Sequence, residues 1–391
     1  MQRFEQTLKI LGELIAYPTI SADSNLKLIS YARKHLEALG ADCVVQQDKS
    51  GNKANLFATI GPKCDAGIVL SGHTDVVPVA GQPWNTNPFV MHTQDGKSYG
   101  RGACDMKGFV AAALASAPDF ARLHREGKLT RPLHFAFTYD EEVGCLGGKE
   151  LIRMLQQLPY KPAVAIVGEP TSMGVVQAHK GSCSYDTTFT GQSGHTSLPH
   201  LGVNAIHYAV EYINKLFALG QQLQQRVPAN SPFIPPYTTI QVGQIEGGVA
   251  HNVIPESCKV RWGMRPIHQS DRDLVLGELQ TYVEQVLLPQ MRLIASQAQI
   301  RTKTMSDVVG LIPMQHNQAV ELLSNLCGAD SPQAVSFGTE AGMFQQIGIA
   351  TVVCGPGSIE QAHKANEYLT HQQLEAALDM IASFQDVLVG D

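Results

Sequence analysis

The sequence predicts an α/β sandwich with a largely parallel central sheet, into which a second, ferredoxin-like α+β domain is inserted. Three observations carry this. Across the first 180 residues helical stretches alternate with short apolar runs, the pattern of strand–helix–strand units. From about residue 181 the order becomes β-α-β-β-α-β, and after about 305 helix and strand alternate again. The expected domains are therefore 1–180 and 305–391 for the α/β part, interrupted by 181–304.

The opening stretch MQRFEQTLKILGELIAYP puts Phe4, Leu8, Leu11 and Ile15 on one helical stripe, stopped by Pro18. Its acids and the lack of a small-residue cleavage site make it a packed helix rather than a signal peptide. SNLKLISYARKHLEALG reads as a helix closed by Gly40, GIVLSGHTD as a buried strand and MKGFVAAALASAPDF as a helix. LHFAFTYDEE follows as a strand, KELIRMLQQL as a helix and AVAIVGEPT as a strand. In the insert, SCSYDTTFTG alternates like a half-exposed strand and NAIHYAVEYINKLFALG is a helix. TTIQVGQIEGG and SCKVRWGMRP are strands, RDLVLGELQTYVEQVLL is a helix and AQIRTKTMS a strand. The segment GQQLQQRVPANSPFIPP at 220–236 has the composition of a loop. The last part returns to a helix (NQAVELLSNLCG), a strand (IATVVCGPG) and a helix (HQQLEAALDMIASFQDVL).

Composition narrows the partners. The 391 residues are 44% hydrophobic and 16% charged, enough for a large core. With a net charge of −6 and scattered Lys and Arg, neither a nucleic-acid footprint nor a polybasic membrane anchor is present, so small molecules are the expected partners. No apolar run reaches the roughly 18 residues of a membrane span. The eight cysteines are widely spaced without a C-x-x-C pair, which points to reduced thiols and a soluble, cytoplasmic protein.

Four apolar runs of the α/β part end in polar residues of one kind: IVLSGHTD, FAFTYDEE, AIVGEP, and VVCGPG followed by SIEQAH. Ligands of parallel sheets sit outside the carboxyl ends of the strands, so His73, Asp75, Glu141, Glu142, Glu169 and His363 are expected to converge on one edge. His73 and Asp75, two apart on an extended chain, share a face. The loop YGRGACDMKG adds Asp105 ahead of a helix, with glycines that let the backbone bend closely around it. Two imidazoles with three or more carboxylates form a mixed N/O set suited to zinc, cobalt or manganese, and that many like charges repel without a cation. Two metal ions account for the count, one carboxylate bridging them and each ion taking one His and one further carboxylate. Within the doublet Glu141–Glu142, one side chain can bind metal while the other handles protons. A bound metal lowers the pKa of water from roughly 15.7 to about 7, and the chemistry that follows is hydrolysis.

Seven segments together resemble the M20 family of metallopeptidases and deacylases: SGHTDVVPV, GRGACDMKG, TYDEEVGCLGG, VGEPT, GQSGHTSLPHLGVNAI, GGVAHNVIPESC and GSIEQAHKANEYL, in order and across most of the chain. The resemblance implies a zinc-peptidase-like mixed, largely parallel sheet with helices on both faces, and a lid and dimerisation role for the inserted domain. It implies two Zn2+ per subunit, which Co2+ can replace. Asp105 would bridge them, with His73 and Glu169 completing one position and Glu142 and His363 the other. Asp75 would orient His73 from behind, and Glu141 would act as general base and then proton donor to the leaving amine. In the inserted domain His195 matches a histidine lent to the partner's site for oxyanion stabilisation, while Asn252 and Arg265 match substrate or oxyanion contacts. The resemblance further implies a homodimer through that domain.

The C-terminal stretches SFGTEAGMF and CGPGSIEQAHKANEYL are similar to the acetylornithine deacetylase branch, which implies a small-molecule N-acyl amino acid as substrate. Gly357 in GPGS would offer its N–H to the substrate carboxylate, and Glu340 would meet a cationic side chain. Other branches (succinyl-diaminopimelate desuccinylases, aminoacylases, dipeptidases) share every metal residue. A desuccinylase needs a further cationic contact for the succinyl carboxylate, and the sequence offers no candidate for it. Readings from other classes are a homologue that binds acylated amino acids without turnover, against which stands the full set of ligands and base, and a metal-dependent phosphoesterase.

Overall fold

A computed structural model describes residues 2–327 and 333–390, the side chains of 326 and 327 aside. The chain divides into two compact units, one formed by Met1–Ala178, Pro313–Ala334 and Thr339–Asp391, the other by His179–Ile312 with Val335–Gly338.

The larger unit is built on an eight-stranded mixed sheet. In spatial order its strands are Asp42–Gln47, Ala54–Ile60, Leu133–Thr138, Ile68–His73, Val164–Val167, Ala350–Val353, Val176–His179 and Gln333–Val335. The four central strands, from Leu133–Thr138 to Ala350–Val353, run parallel. Residues 54–60, 68–73, 133–138, 164–167 and 350–353 are buried throughout, as continuous apolar runs covered on both faces must be. The helix Gly108–Arg125 lies against this sheet, and its small-residue run GFVAAALASA brings its backbone close. The helices Gln2–Ile15, Leu26–Glu37 and His371–Ser383 pack on it in turn. At the crossing of helix and strand end, a Cβ on Gly168 would lie 2.0 Å from the ring of Phe109, so only glycine fits there.

The expected strands are present but shorter at their carboxyl ends. LHFAFTYDEE leaves the sheet after Thr138, GIVLSGHTD after His73 and AVAIVGEPT after Val167. The polar residues beyond these points therefore sit on loops that can turn toward one another. Sequence reading passed over the hairpin Asp42–Gln47/Ala54–Ile60, whose turn is held by Asp48 accepting the N–H groups of Asn52 and Lys53. The expected helix over 317–328 is Gln318–Cys327, and Gly328 lies outside the described residues. Cys43, Cys64, Cys104, Cys145, Cys183 and Cys258 are free thiols. No helix is long and apolar enough to cross a membrane among the described residues.

The smaller unit has a four-stranded antiparallel sheet in the order Thr239–Gly247, Ser257–Arg265, Ser182–Thr190, Gln299–Val308, joined in the β-α-β-β-α-β sequence of ferredoxin-like folds. The helices Ala205–Gln224 and Gln269–Tyr282 fill its core with Tyr212, Leu216, Leu219, Val275 and Leu279 against Tyr185, Phe189 and Trp262. Trp262 stacks on Tyr185 with centroids 4.5 Å apart and donates its indole N–H to Thr187 Oγ1. Asn204 caps the first helix by accepting the N–H groups of Ile206 and His207.

Candidate metal centre

The parallel register brings the strand ends level: His73 lies opposite Thr138, Ser71 opposite Val167, and Val353 opposite Val167. The loops leaving those ends carry Glu141 and Glu142, Glu169, and His363. Asp105 arrives from the turn ahead of Gly108–Arg125, after Gly102 in a left-handed conformation (φ 82).

Asp105 stands between the two imidazoles. Its Oδ1 is 2.9 Å from His73 Nε2 and its Oδ2 is 3.4 Å from His363 Nε2. Each imidazole has one further carboxylate: Glu169 Oε1 at 3.8 Å from His73 Nε2, and Glu142 Oε2 at 3.0 Å from His363 Nε2. One acid thus addresses both histidines, and the remaining acids divide between them. A Glu141 oxygen also comes within 4.8 Å of ligand atoms of His73 and Glu169, and Cys145 Sγ donates to Glu141 Oε1 at 3.3 Å.

Crowding of charge shows in the protonation equilibria. Burial, then the Asp105 charge, pushes Glu169 well above the usual carboxylate range and raises Glu142 as well. Burial carries Glu141 up to about 8, opposed by His73 and assisted by Glu142. Burial works against charge on His73, yet the bond to Asp105 and the nearby Glu169 outweigh it and hold the imidazole well above its ordinary value. His363 rises to about 10 through its bonds to Asp105 and Glu142. Four carboxylates and two imidazoles so disposed are short of positive charge, and their N/O donor set fits a pair of divalent cations.

The brace expected from Asp75 takes a different form. His73 Nδ1 lies 2.9 Å from the peptide oxygen of Asp75 and 3.7 Å from its carboxylate, so the ring donates to the main chain. The carboxylate instead accepts the N–H groups of Glu141 and Glu142 and the Ser21 hydroxyl, which anchors the acidic doublet. Two further expectations are corrected. Glu340, expected to meet a cationic group of the substrate, is 1% exposed and accepts the hydroxyls of Ser71 and Thr138 on neighbouring strands. Gly357, expected to offer its N–H, already donates it to the Gln373 side chain. His195, Asn252 and Arg265 belong to the smaller unit. A two-residue ladder sets His195 opposite Val253, the Thr196 N–H donates to the Asn252 carbonyl, and His195 Nδ1 is 2.7 Å from Ser197 Oγ. Arg265 is exposed at the end of its strand, opposite Thr239.

Sequence reading missed Glu367 and Arg101. The Glu367 carboxylate, 1% exposed, accepts the N–H groups of Gly102, Cys104 and Asp105 and the Arg101 guanidinium, so it shapes the turn that presents Asp105. The signal was an acid four residues after His363 in HKANEYL, which was read only for its histidine.

Residues 69–386 match the model of Peptidase family M20/M25/M40. Two curated proteins named acetylornithine deacetylase are similar over nearly all of the chain. The one from Pasteurella multocida is 34% identical over 392 residues, 98% of each chain, and that from Edwardsiella ictaluri 37% over 367 residues, 91% of each. Among solved structures, an M20 family metallo-carboxypeptidase from Sulfolobus solfataricus superposes with a TM-score of 0.76 at 17% identity, covering 98% of this chain and 99% of that one. With the family's match spanning the strand ends and every acid and imidazole gathered there, the chain belongs to peptidase family M20/M25/M40.

Proposed function

We propose that this amidohydrolase removes the acetyl group from N2-acetyl-L-ornithine, giving ornithine and acetate for arginine biosynthesis. The observation that carries hydrolysis is the bridging position of Asp105 between His73 and His363. The substrate rests on the two relatives named acetylornithine deacetylase. His73, Asp105 and Glu169 would hold one zinc ion and His363, Asp105 and Glu142 the other, with cobalt able to replace zinc. Bound divalent ions polarise an amide carbonyl and lower the pKa of water. Glu141 takes the proton of the attacking water and delivers it to the leaving nitrogen, and burial that favours its protonated form suits the second half of that task. Asp75 keeps Glu141 in place through its peptide N–H at 3.0 Å. His195, Asn252 and Arg265 serve the oxyanion and the substrate carboxylate, the Arg fork matching a carboxylate bidentately. The protein works as a cytoplasmic homodimer joined through the smaller unit, which acts as a lid.

The test is a turnover panel on zinc- or cobalt-loaded protein with N2-acetylornithine, succinyl-diaminopimelate, acetylmethionine and a dipeptide, each with a chelator control. Chelator-sensitive preference for acetylornithine supports the reading. Preference for another amide keeps the chemistry and discards the substrate; metal bound without amide turnover overturns both.

A further inference from the structure

The two ligand imidazoles are held in different ways. His73 ends a buried strand and its side chain is 1% exposed. His363 sits on a loop in a left-handed backbone conformation (φ 62), with its side chain 52% exposed. No ladder fixes it, and a non-glycine residue keeps such a conformation only where its surroundings impose it. Two of the bonds that hold the chain around it come from the loop 81–85. Gln82 Nε2 donates to the His363 carbonyl at 2.8 Å, and the Asn85 N–H donates to Asn366 Oδ1 at 2.8 Å. The other end of the Gln82 amide accepts from Arg101 Nη2 at 2.6 Å and from the Trp84 indole at 3.0 Å. Arg101 Nη1 reaches Glu367 Oε2 at 2.6 Å, and Glu367 Oε1 takes the Asp105 N–H at 3.0 Å. A chain of hydrogen bonds therefore runs from the His363 peptide through the Gln82 amide, the Arg101 guanidinium and the Glu367 carboxylate to the Asp105 peptide, beside a longer direct bond from Arg101 Nη1 to the Lys364 carbonyl at 3.4 Å.

We propose that Gln82 is a positioning residue that ties His363 to the Asp105 turn and sets the affinity of one metal position, the one shared by Glu142, without affecting the other. This rests on the reading of Asp105 and His363 as metal ligands. The role needs a donor at one end and an acceptor at the other. Glutamate at 82 keeps the Arg101 bond and cannot donate to the His363 carbonyl, and methionine keeps the length and loses both.

The experiment is calorimetric titration of metal-free protein with zinc, repeated with cobalt while following its visible absorption, on the parent, Gln82→Met, Gln82→Glu, His363→Ala and Gln82→Met/His363→Ala proteins. Thermal unfolding of the metal-free forms is recorded alongside. The parent binds two equivalents. Both Gln82 variants keep the first equivalent at parental affinity and bind the second about 10–100-fold more weakly, the range for partners that orient metal ligands. In the His363→Ala background, adding Gln82→Met leaves the remaining equivalent unchanged. A second-equivalent affinity within about twofold of the parent's overturns the proposal. So does a parallel weakening of both equivalents with a lowered Tm, which marks general loosening. A parent that binds no metal overturns the ligand reading underneath, and that result precedes any variant.

Discussion

Replacing Glu367 by glutamine perturbs the turn of Asp105 without touching any group proposed to bind metal. One carboxylate oxygen of Glu367 takes the Gly102 N–H at 3.0 Å and the Arg101 guanidinium at 2.6 Å; the other takes the Cys104 and Asp105 N–H groups at 2.8 and 3.0 Å. An amide retains a single acceptor oxygen, so its NH2 must face one pair of donors. If the oxygen stays with Arg101, two peptide N–H groups lose their acceptor, at roughly 1–3 kcal/mol each. Whichever way it faces, the neutral amide leaves the buried Arg101 guanidinium without its counter-charge, at about 3–5 kcal/mol, and with its oxygen turned away from Arg101 the Gly102 N–H loses its acceptor as well. Either arrangement predicts a loss of at least about 4 kcal/mol, a large part of the 5–15 kcal/mol or so that stabilises a typical domain. Urea unfolding of the metal-free protein, followed by circular dichroism, measures it as a lowered midpoint at unchanged slope. The Arg101→Met/Glu367→Met pair should cost less than the sum of the two single changes, because neither charge is left buried alone. A Glu367→Gln loss under about 1 kcal/mol would refute the reasoning, since the four donors would then have another acceptor.

Three further expectations are open to direct measurement. Glu141→Gln should leave metal content by mass spectrometry unchanged and lower kcat about 10²–10⁴-fold; a rate near the parent's would remove Glu141 from proton transfer. His134 is buried between Phe57 and Tyr160, its Nδ1 on Thr59 Oγ1, and burial depresses its pKa to about 3. Below the unfolded value near 6.5 the unfolded chain binds a proton that the folded chain refuses, so stability is constant above that pH and falls by about 1.4 kcal/mol per unit below it. Between pH 6.5 and 5 the loss is about 2 kcal/mol, and His134→Phe should flatten the slope of unfolding free energy against pH by that amount. Gly168→Ala should cost about 1–3 kcal/mol by driving a methyl into the Phe109 ring, with partial recovery in Gly168→Ala/Phe109→Leu when both are followed by Tm.

What the sequence discloses of this fold follows the range of the interactions. His73, Glu142, Glu169 and His363 were legible because buried parallel strands are continuous apolar runs, and polar residues just past such runs stand out. Asp105 was legible from the glycines around it. Glu367, Arg101 and Gln82 were not, because their meaning lies in pairings across more than 250 residues, such as Arg101 with Glu367. Glu340 misled for the complementary reason. An acid after SFGT reads as facing a cationic substrate group, and only the pairing of Ile68–His73 beside Leu133–Thr138 places Ser71 and Thr138 where their hydroxyls can satisfy it in the interior. The Asp75 brace was half legible: period-two alternation put His73 and Asp75 on one face, but left undetermined whether side chain or peptide oxygen receives the ring.

The strand Ala350–Val353 pairs with Val164–Val167 across the whole inserted unit, and the His363 loop follows it. On a ribosome adding about 5–20 residues per second, His363 is made roughly 15–60 s after His73. For most of that interval His73, Asp105, Glu142 and Glu169 already exist on a nascent chain whose central sheet lacks a strand. A free cation met then would find an acidic, incomplete set of donors, and a chain released early would expose the edge of Val164–Val167 to neighbouring polypeptides. Timing of synthesis, and not only the finished geometry, therefore bears on how faithfully this site is assembled in a cell.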